Sequence, residues 1–166
     1  VRLNPVDLAI VPGVAERWEE SEDGLEYTFY LRNDAKWSNG DPLTAKDFAY
    51  AWRRILTPSL ASEYAYMLFP MKNAQAFNEG KITDFSQVGC EVTDDYTVKV
   101  VLEKPTPFFM QLHAHYSWFP VQQATIEKFG AMDDRNSQWT RAGNFVGNGP
   151  YVLAKWIPNS VIAVTP

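Results

Sequence analysis

Cysteine is almost missing from this sequence. Cys90 stands alone, which excludes a disulfide within the chain and any cysteine-built zinc cluster. Histidine is nearly as scarce, with only His113 and His115. No apolar run reaches the roughly 18 residues of a membrane span. The opening VRLNPVDLAIVPG has none of the charge and apolar blocks of a signal peptide, so the signal of an exported parent would lie outside this stretch. The 15 Lys and Arg are scattered and the formal net charge is -5, so the basic patch of a nucleic-acid binder is lacking and no nucleic-acid partner is expected. Internal repeats and low-complexity segments are absent too.

What is abundant is apolar and aromatic. Hydrophobic residues make up 46% of the 166 residues, with 6 Trp, 8 Tyr and 10 Phe. That composition argues for a packed core rather than disorder. It also suits binding through ring faces.

Pro5, Pro12 and Gly13 break the first dozen residues into short extended pieces. VAERWEE, SEDG and LEYTFYLR read as a hairpin turning at Asp23-Gly24. Its second arm sets Tyr27, Phe29 and Leu31 on one face. Asn39-Gly40 is a further turn. Thr44 is a helix N-cap with Asp47 three residues on, and a helix follows to about Leu56, ended by Pro58. The patterns predict helices through SEYAYMLFP, through NAQAFNEG to Gly80, through the aromatic stretch PTPFFMQLHAHYSW, and through QQATIEKFG to Gly130. VGCEVTDDYTVKVVLE reads as a second hairpin turning at Asp94-Asp95. GPYVLAKWIPNSVIAVTP reads as two strands joined at Pro158-Asn159. Helices and strands alternate irregularly, so the fold class is α+β, with a mixed, largely antiparallel sheet, hairpins and several packed helices.

Reactive constellations are hard to find. His-x-His in a helix places the two rings on nearly opposite faces, without a third ligand nearby, which speaks against a metal site. Cys90 reads as a small buried hydrophobe in a strand. Gly147-Asn148-Gly149 lacks the remaining glycines of a phosphate loop and reads as a tight turn. Asp94, Asp95, Asp133 and Asp134 fall in turns, where Asp bonds locally, and nothing selects a glycosidase pair among them. Tyr64 and Tyr66 stand two apart on a predicted helix, so at least one faces solvent or a cleft. The plainer alternative packs both partly against the helix of Trp52.

One stretch is distinctive. LRNDAKWSNGDPLTAKDFAYAWRRILTP closely resembles a signature of the oligopeptide-binding proteins, the extracytoplasmic solute-binding subunits (family 5 type) of ABC peptide importers. PGVAERWEESEDGLEYTFYLR before it, ITDFSQVGCEVTDDYTVKVVLEKPTPFFMQLHAHYSWFPV after it, then IEKFG and NFVGNGPYVLAKWIPNSVIAVTP, resemble the family's flanking blocks in the same order. The first ten residues and the loop from Ala131 to Gln138 match least.

The resemblance implies a periplasmic-binding-protein type II-like architecture. It casts 1–119 as the second domain of such a protein and 120–166 as a segment returning to the first, with the third domain absent and the end at VIAVTP a cut inside a strand. It implies a non-catalytic protein without a cofactor, at the periplasmic or extracellular face of the cytoplasmic membrane. Its partners would be short peptides and the ABC permease membrane subunits. Related members take dipeptides, nickel complexes, oligosaccharides or murein peptides. Tyr64 matches a family tyrosine that reaches the bound peptide's backbone. The opening motif is expected to be a structural corner: Trp37 as anchor, Asn39-Gly40 as turn, and Thr44 as a cap worth about 1 kcal/mol. Two rival readings are a scaffold or interaction module with no ligand in isolation, and a carboxylate-dependent hydrolase.

Overall fold

The computed structural model describes all residues, 1–166. β1 (Arg2–Leu3) and β2 (Ile10–Val11) form a minimal antiparallel pair. β3 (Ala15–Glu20) and β4 (Glu26–Leu31) form the expected hairpin. In its turn the Asp23 carboxylate accepts from the Ser21 hydroxyl at 2.6 Å and the Leu25 N–H at 3.1 Å. Gly24 there adopts φ +67, a region that side chains with a Cβ avoid.

α1 runs from Ala45 to Leu56 and 3-10 turns follow at Pro58–Leu60 and Ala65–Leu68. Next come α2 (Ala74–Asn78), β5 (Cys90–Asp94) and β6 (Thr97–Val101). α3 (Phe109–Leu112), a 3-10 turn at Tyr116–Trp118, α4 (Gln123–Lys128) and a 3-10 turn at Gln138–Thr140 follow. β7 (Val152–Ile157) and β8 (Val161–Thr165) close the chain as a separate hairpin.

The main sheet has the order β3-β4-β6-β5, antiparallel throughout. Period-two alternation sends Tyr27, Phe29 and Leu31 of β4 and Val98 and Val100 of β6 to one buried face. α1 covers that face with Ala51, Trp52 and Leu56, at helical spacing. The 19-residue buried core runs from Ala15 to Trp118, and of the residues after Trp118 only Val121 packs against it.

The corner before α1 is built as its residues suggest. Trp37 and Leu43 are buried. Gly40 turns the chain at φ +91, and its N–H donates to the Trp37 carbonyl at 2.9 Å. Asp47 carries most of the helix cap: its carboxylate accepts from the Thr44 backbone N–H at 2.8 Å and from the Thr44 hydroxyl at 3.3 Å.

Two predicted helices are much shorter than their patterns suggest. SEYAYMLFP makes only the four-residue 3-10 turn Ala65–Leu68. Ala65, Leu68 and Met71 all turn inward, and Met71 bridges to Leu102, which draws the chain to the sheet rather than along a helix axis. PTPFFMQLHAHYSW breaks after Leu112. There the His113 ring takes the Phe109 carbonyl at 3.1 Å, the acceptor an α-helix would give to the His113 backbone N–H. That N–H goes instead to Met110 at 3.3 Å. His113 and His115 therefore do not sit on opposite faces of one helix, because the helix has already ended.

Candidate functional site

The break in that aromatic stretch creates the most unusual surface of the molecule. Ala65 and Leu68 anchor one 3-10 turn, and Ser117 and Trp118 anchor the other. Both turns pack on α1 and on each other. Trp118 lies edge-on to Trp52, with centroids 5.3 Å apart, and its carbonyl accepts the Trp52 indole N–H at 3.2 Å. With the inward residues so engaged, the intervening side chains are left outside.

Those side chains form an aromatic shelf. The Tyr64 ring lies 6.1 Å from Tyr66, 5.1 Å from His115 and 5.5 Å from Tyr116, the last at 75°. His115 stacks on Tyr116 at 4.1 Å. Tyr64, Tyr66 and Tyr116 are 39, 55 and 60% exposed. The His115 ring is oriented by Ser117, whose hydroxyl lies 2.8 Å from Nδ1 and whose backbone N–H donates to the same nitrogen at 3.3 Å. The neighbouring Tyr64 hydroxyl, and then slight burial, raise the pKa of the Tyr116 hydroxyl above the usual tyrosine value.

Tyr64 thus stands at the centre of an exposed ring cluster. Its companions His115 and Tyr116 were not singled out as ligand-facing from sequence. They come from a separate segment, and only the contact between the two turns reveals them.

The other residues weighed for chemistry are not gathered into a site. The Asp94 carboxylate accepts the Tyr96 N–H at 2.8 Å, and Asp95 pairs with Lys46 at 2.8 Å. Asp133 accepts from the Ser59 hydroxyl, and Asp134 accepts the Asn136 N–H at 2.8 Å. Each carboxylate serves a local turn or surface pair. Burial pushes the Cys90 thiol up to about 12, which makes it inert as a nucleophile. Burial likewise pushes the His113 imidazole down to about 3. Gly147-Asn148-Gly149 is a turn docked on the corner: the Gly147 carbonyl accepts the Ser38 N–H at 2.8 Å, and its own N–H donates to the Ser38 hydroxyl at 3.3 Å.

Comparison with known proteins places this surface in context. Residues 9–166 match the family model described as bacterial extracellular solute-binding proteins, family 5 Middle. The periplasmic murein peptide-binding protein MppA of Escherichia coli is 42% identical over 159 residues, which is 95% of this chain and 28% of MppA. The periplasmic oligopeptide-binding protein OppA of the same organism is 44% identical over 157 residues, or 92% of this chain and 27% of OppA. The solved structure of the E. coli murein tripeptide binding protein MppA matches with a TM-score of 0.89 at 40% identity, covering 99% of this chain and 31% of that one. The chain therefore spans less than a third of the length of these relatives. Its mixed, largely antiparallel α+β fold is part of a periplasmic-binding-protein type II-like architecture. With a match running from residue 9 to the last residue, the chain belongs to the bacterial extracellular solute-binding proteins of family 5.

Proposed function

We propose that this chain is part of an extracytoplasmic solute-binding protein that captures short peptides for an ABC importer, and that Tyr64 faces the peptide. The observation that carries this reading is the exposed shelf of Tyr64, Tyr66, His115 and Tyr116, on a chain whose relatives are named for peptide binding. Three large rings left at the surface by a well-packed scaffold suit a wall awaiting a ligand.

The whole protein acts without catalysis. An extended peptide is held through its backbone, which gives affinity without strict sequence preference, while bridging waters accommodate varied side chains. It works at the periplasmic or extracellular face of the cytoplasmic membrane, and its partners are the permease membrane subunits. Residues 1–119 correspond to the second domain and 120–166 to a segment of the first. That no fully buried member of the core lies beyond Trp118 supports that boundary.

The test is calorimetric titration of the whole protein with tri- to pentapeptides, alongside Tyr64→Ala. One neutral hydrogen bond is worth about 1 kcal/mol, so binding should weaken by about fivefold. Unchanged affinity in the variant would remove Tyr64 from the site. A folded protein silent toward every peptide would overturn the peptide reading and leave a scaffold.

A further inference from the structure

We infer that the cavity between Val14, Phe48, Trp118 and Asn148 is the seat of a first-domain segment lying outside residues 1–166. That segment fills the cavity with an apolar side chain and lays one peptide group against His113 and Trp118. The inference rests on the division of the chain at residue 119 and names a surface that joins its two parts to the rest of the protein.

The cavity holds about 270 Å³, and both parts of the chain line it. Val14, Phe48, Trp118 and Phe119 come from before the division, Pro120 and Asn148 from after it. Phe119 directly follows the last residue of the buried core, yet it remains 50% exposed. Concave apolar surface at a junction between domains is where a further piece of chain or a ligand packs. The relatives extend to more than three times the length matched here, so the whole protein has ample chain to occupy this one.

Two buried polar atoms add a separate observation and select the occupant. His113 gives its Nδ1 proton to the Phe109 carbonyl at 3.1 Å, which leaves Nε2 of the neutral ring as an acceptor. That Nε2 has no partner, and neither has the indole N–H of Trp118. The two residues are 8% and 2% exposed, their rings lie 4.4 Å apart, and both line this cavity. Buried polar groups as a rule find partners, and an acceptor beside a donor matches a peptide group, which offers its N–H to Nε2 and its carbonyl to the indole. A carboxylate or an ammonium group supplies only one of those functions and is disfavoured by the apolar walls. Because His113 and Trp118 bracket His115 and Tyr116, a segment seated here also holds the aromatic shelf in place against the first domain.

The test places a photocrosslinking side chain at the cavity of the whole protein, as Phe119→p-benzoylphenylalanine, and identifies the crosslinked peptide by mass spectrometry. Asn148→p-benzoylphenylalanine probes the other lip. Both positions are exposed, so neither substitution disturbs the core. Each variant should crosslink within one molecule to a peptide from outside residues 1–166. In the unsubstituted, isotope-labelled protein, His113 Nε2 should show a nitrogen–nitrogen coupling across a hydrogen bond to a backbone amide, and His113→Leu assigns that signal by its loss.

Crosslinks confined to residues 1–166, or none at all, would overturn the inference, because the cavity would then be filled by its own surroundings or by solvent. Crosslinks between two molecules would overturn it too, giving the seat to a second copy. An outside crosslink without the coupling would overturn the peptide-group assignment. The division at residue 119 has its own readout in the exchange of the β7–β8 amides, so slow exchange there in the whole protein would leave the division standing even if the seat fails.

Discussion

His113 is enclosed by the rings of Phe29, Phe109 and Trp118, with centroids at 5.0, 4.7 and 4.4 Å. Its Nδ1 is used by the Phe109 carbonyl, and its Nε2 has no partner. Burial, the largest cause, lowers the folded pKa from 6.5 to about 3. The unfolded chain therefore takes up a proton below pH 6.5 that the folded chain refuses until about pH 3. The stability associated with neutral His113 is complete above pH 6.5 and is lost as pH falls toward 3, by about 1.4 kcal/mol per pH unit. In urea titrations between pH 6.5 and 5, the wild type should lose about 2 kcal/mol more than His113→Leu, which cannot titrate. Parallel losses in the two proteins would show that His113 is not the acid-sensitive group. Gly89 makes a different demand. A Cβ there would lie 2.1 Å from the Val101 carbonyl oxygen, while the Gly89 backbone bonds both Lys72 and Val101 at 2.9 Å. Gly89→Ala must push two backbone segments apart and should cost at least about 1–3 kcal/mol in chemical denaturation. A variant as stable as the wild type would mean that the β5–β6 edge yields freely.

Elements meet at the corner that the sequence made conspicuous. Asn39 Nδ2 donates to Asp41 at 2.7 Å, and Gln122 Nε2 donates to the same Asp41 oxygen at 2.9 Å and to Asn39 Oδ1 at 3.3 Å. Thr125 donates its hydroxyl to Gln122 Oε1. Gln122 and Thr125 are buried, so this polar network ties the start of α4 to the turn before α1. Gln122→Ala strands polar partners and should destabilise by about 1–3 kcal/mol. Because the two side chains share bonds, Asn39→Ala and Gln122→Ala should be non-additive by about 1 kcal/mol in a double-mutant cycle on thermal unfolding. Strict additivity would show that the corner and the return segment are independent. Much at this scale was readable beforehand. The first hairpin turn and the limits of α1 follow from local rules, because Asp23-Gly24, Thr44 and Pro58 act on their immediate neighbours. The second hairpin turns one residue later than Asp94-Asp95, at Asp95-Tyr96, with Asp94 still paired to Thr97. What was not readable depends on partners far along the chain. The bond from Asn39 to Gln122 spans 83 residues. The aromatic stretch stops being a helix because His113 and Trp118 must both reach the core. The family resemblance draws attention to Tyr64, but the His115–Tyr116 half of its shelf exists only after packing.

At the scale of the whole molecule, two regions differ in what holds them. The main sheet and α1 share a continuous core, whereas β7 and β8 pair only with each other. Trp156, Ile162 and Val164 of that hairpin are 47, 68 and 51% exposed. A lone two-stranded hairpin is marginal in water, so its backbone hydrogen bonds open without unfolding the core. Hydrogen exchange on the 166-residue chain should find β7–β8 amides exchanging about a hundredfold or more faster than those of β4 and β6. If 120–166 belongs to a first-domain sheet in the whole protein, the same amides there should slow toward the rate of the core, because neighbouring strands would cover the exposed faces. Equal protection in the isolated chain would mean that the hairpin is stable by itself, and the division at residue 119 would lose its physical basis. Rapid exchange in both forms would mean that nothing covers it, and would break the assignment of this segment to a second unit.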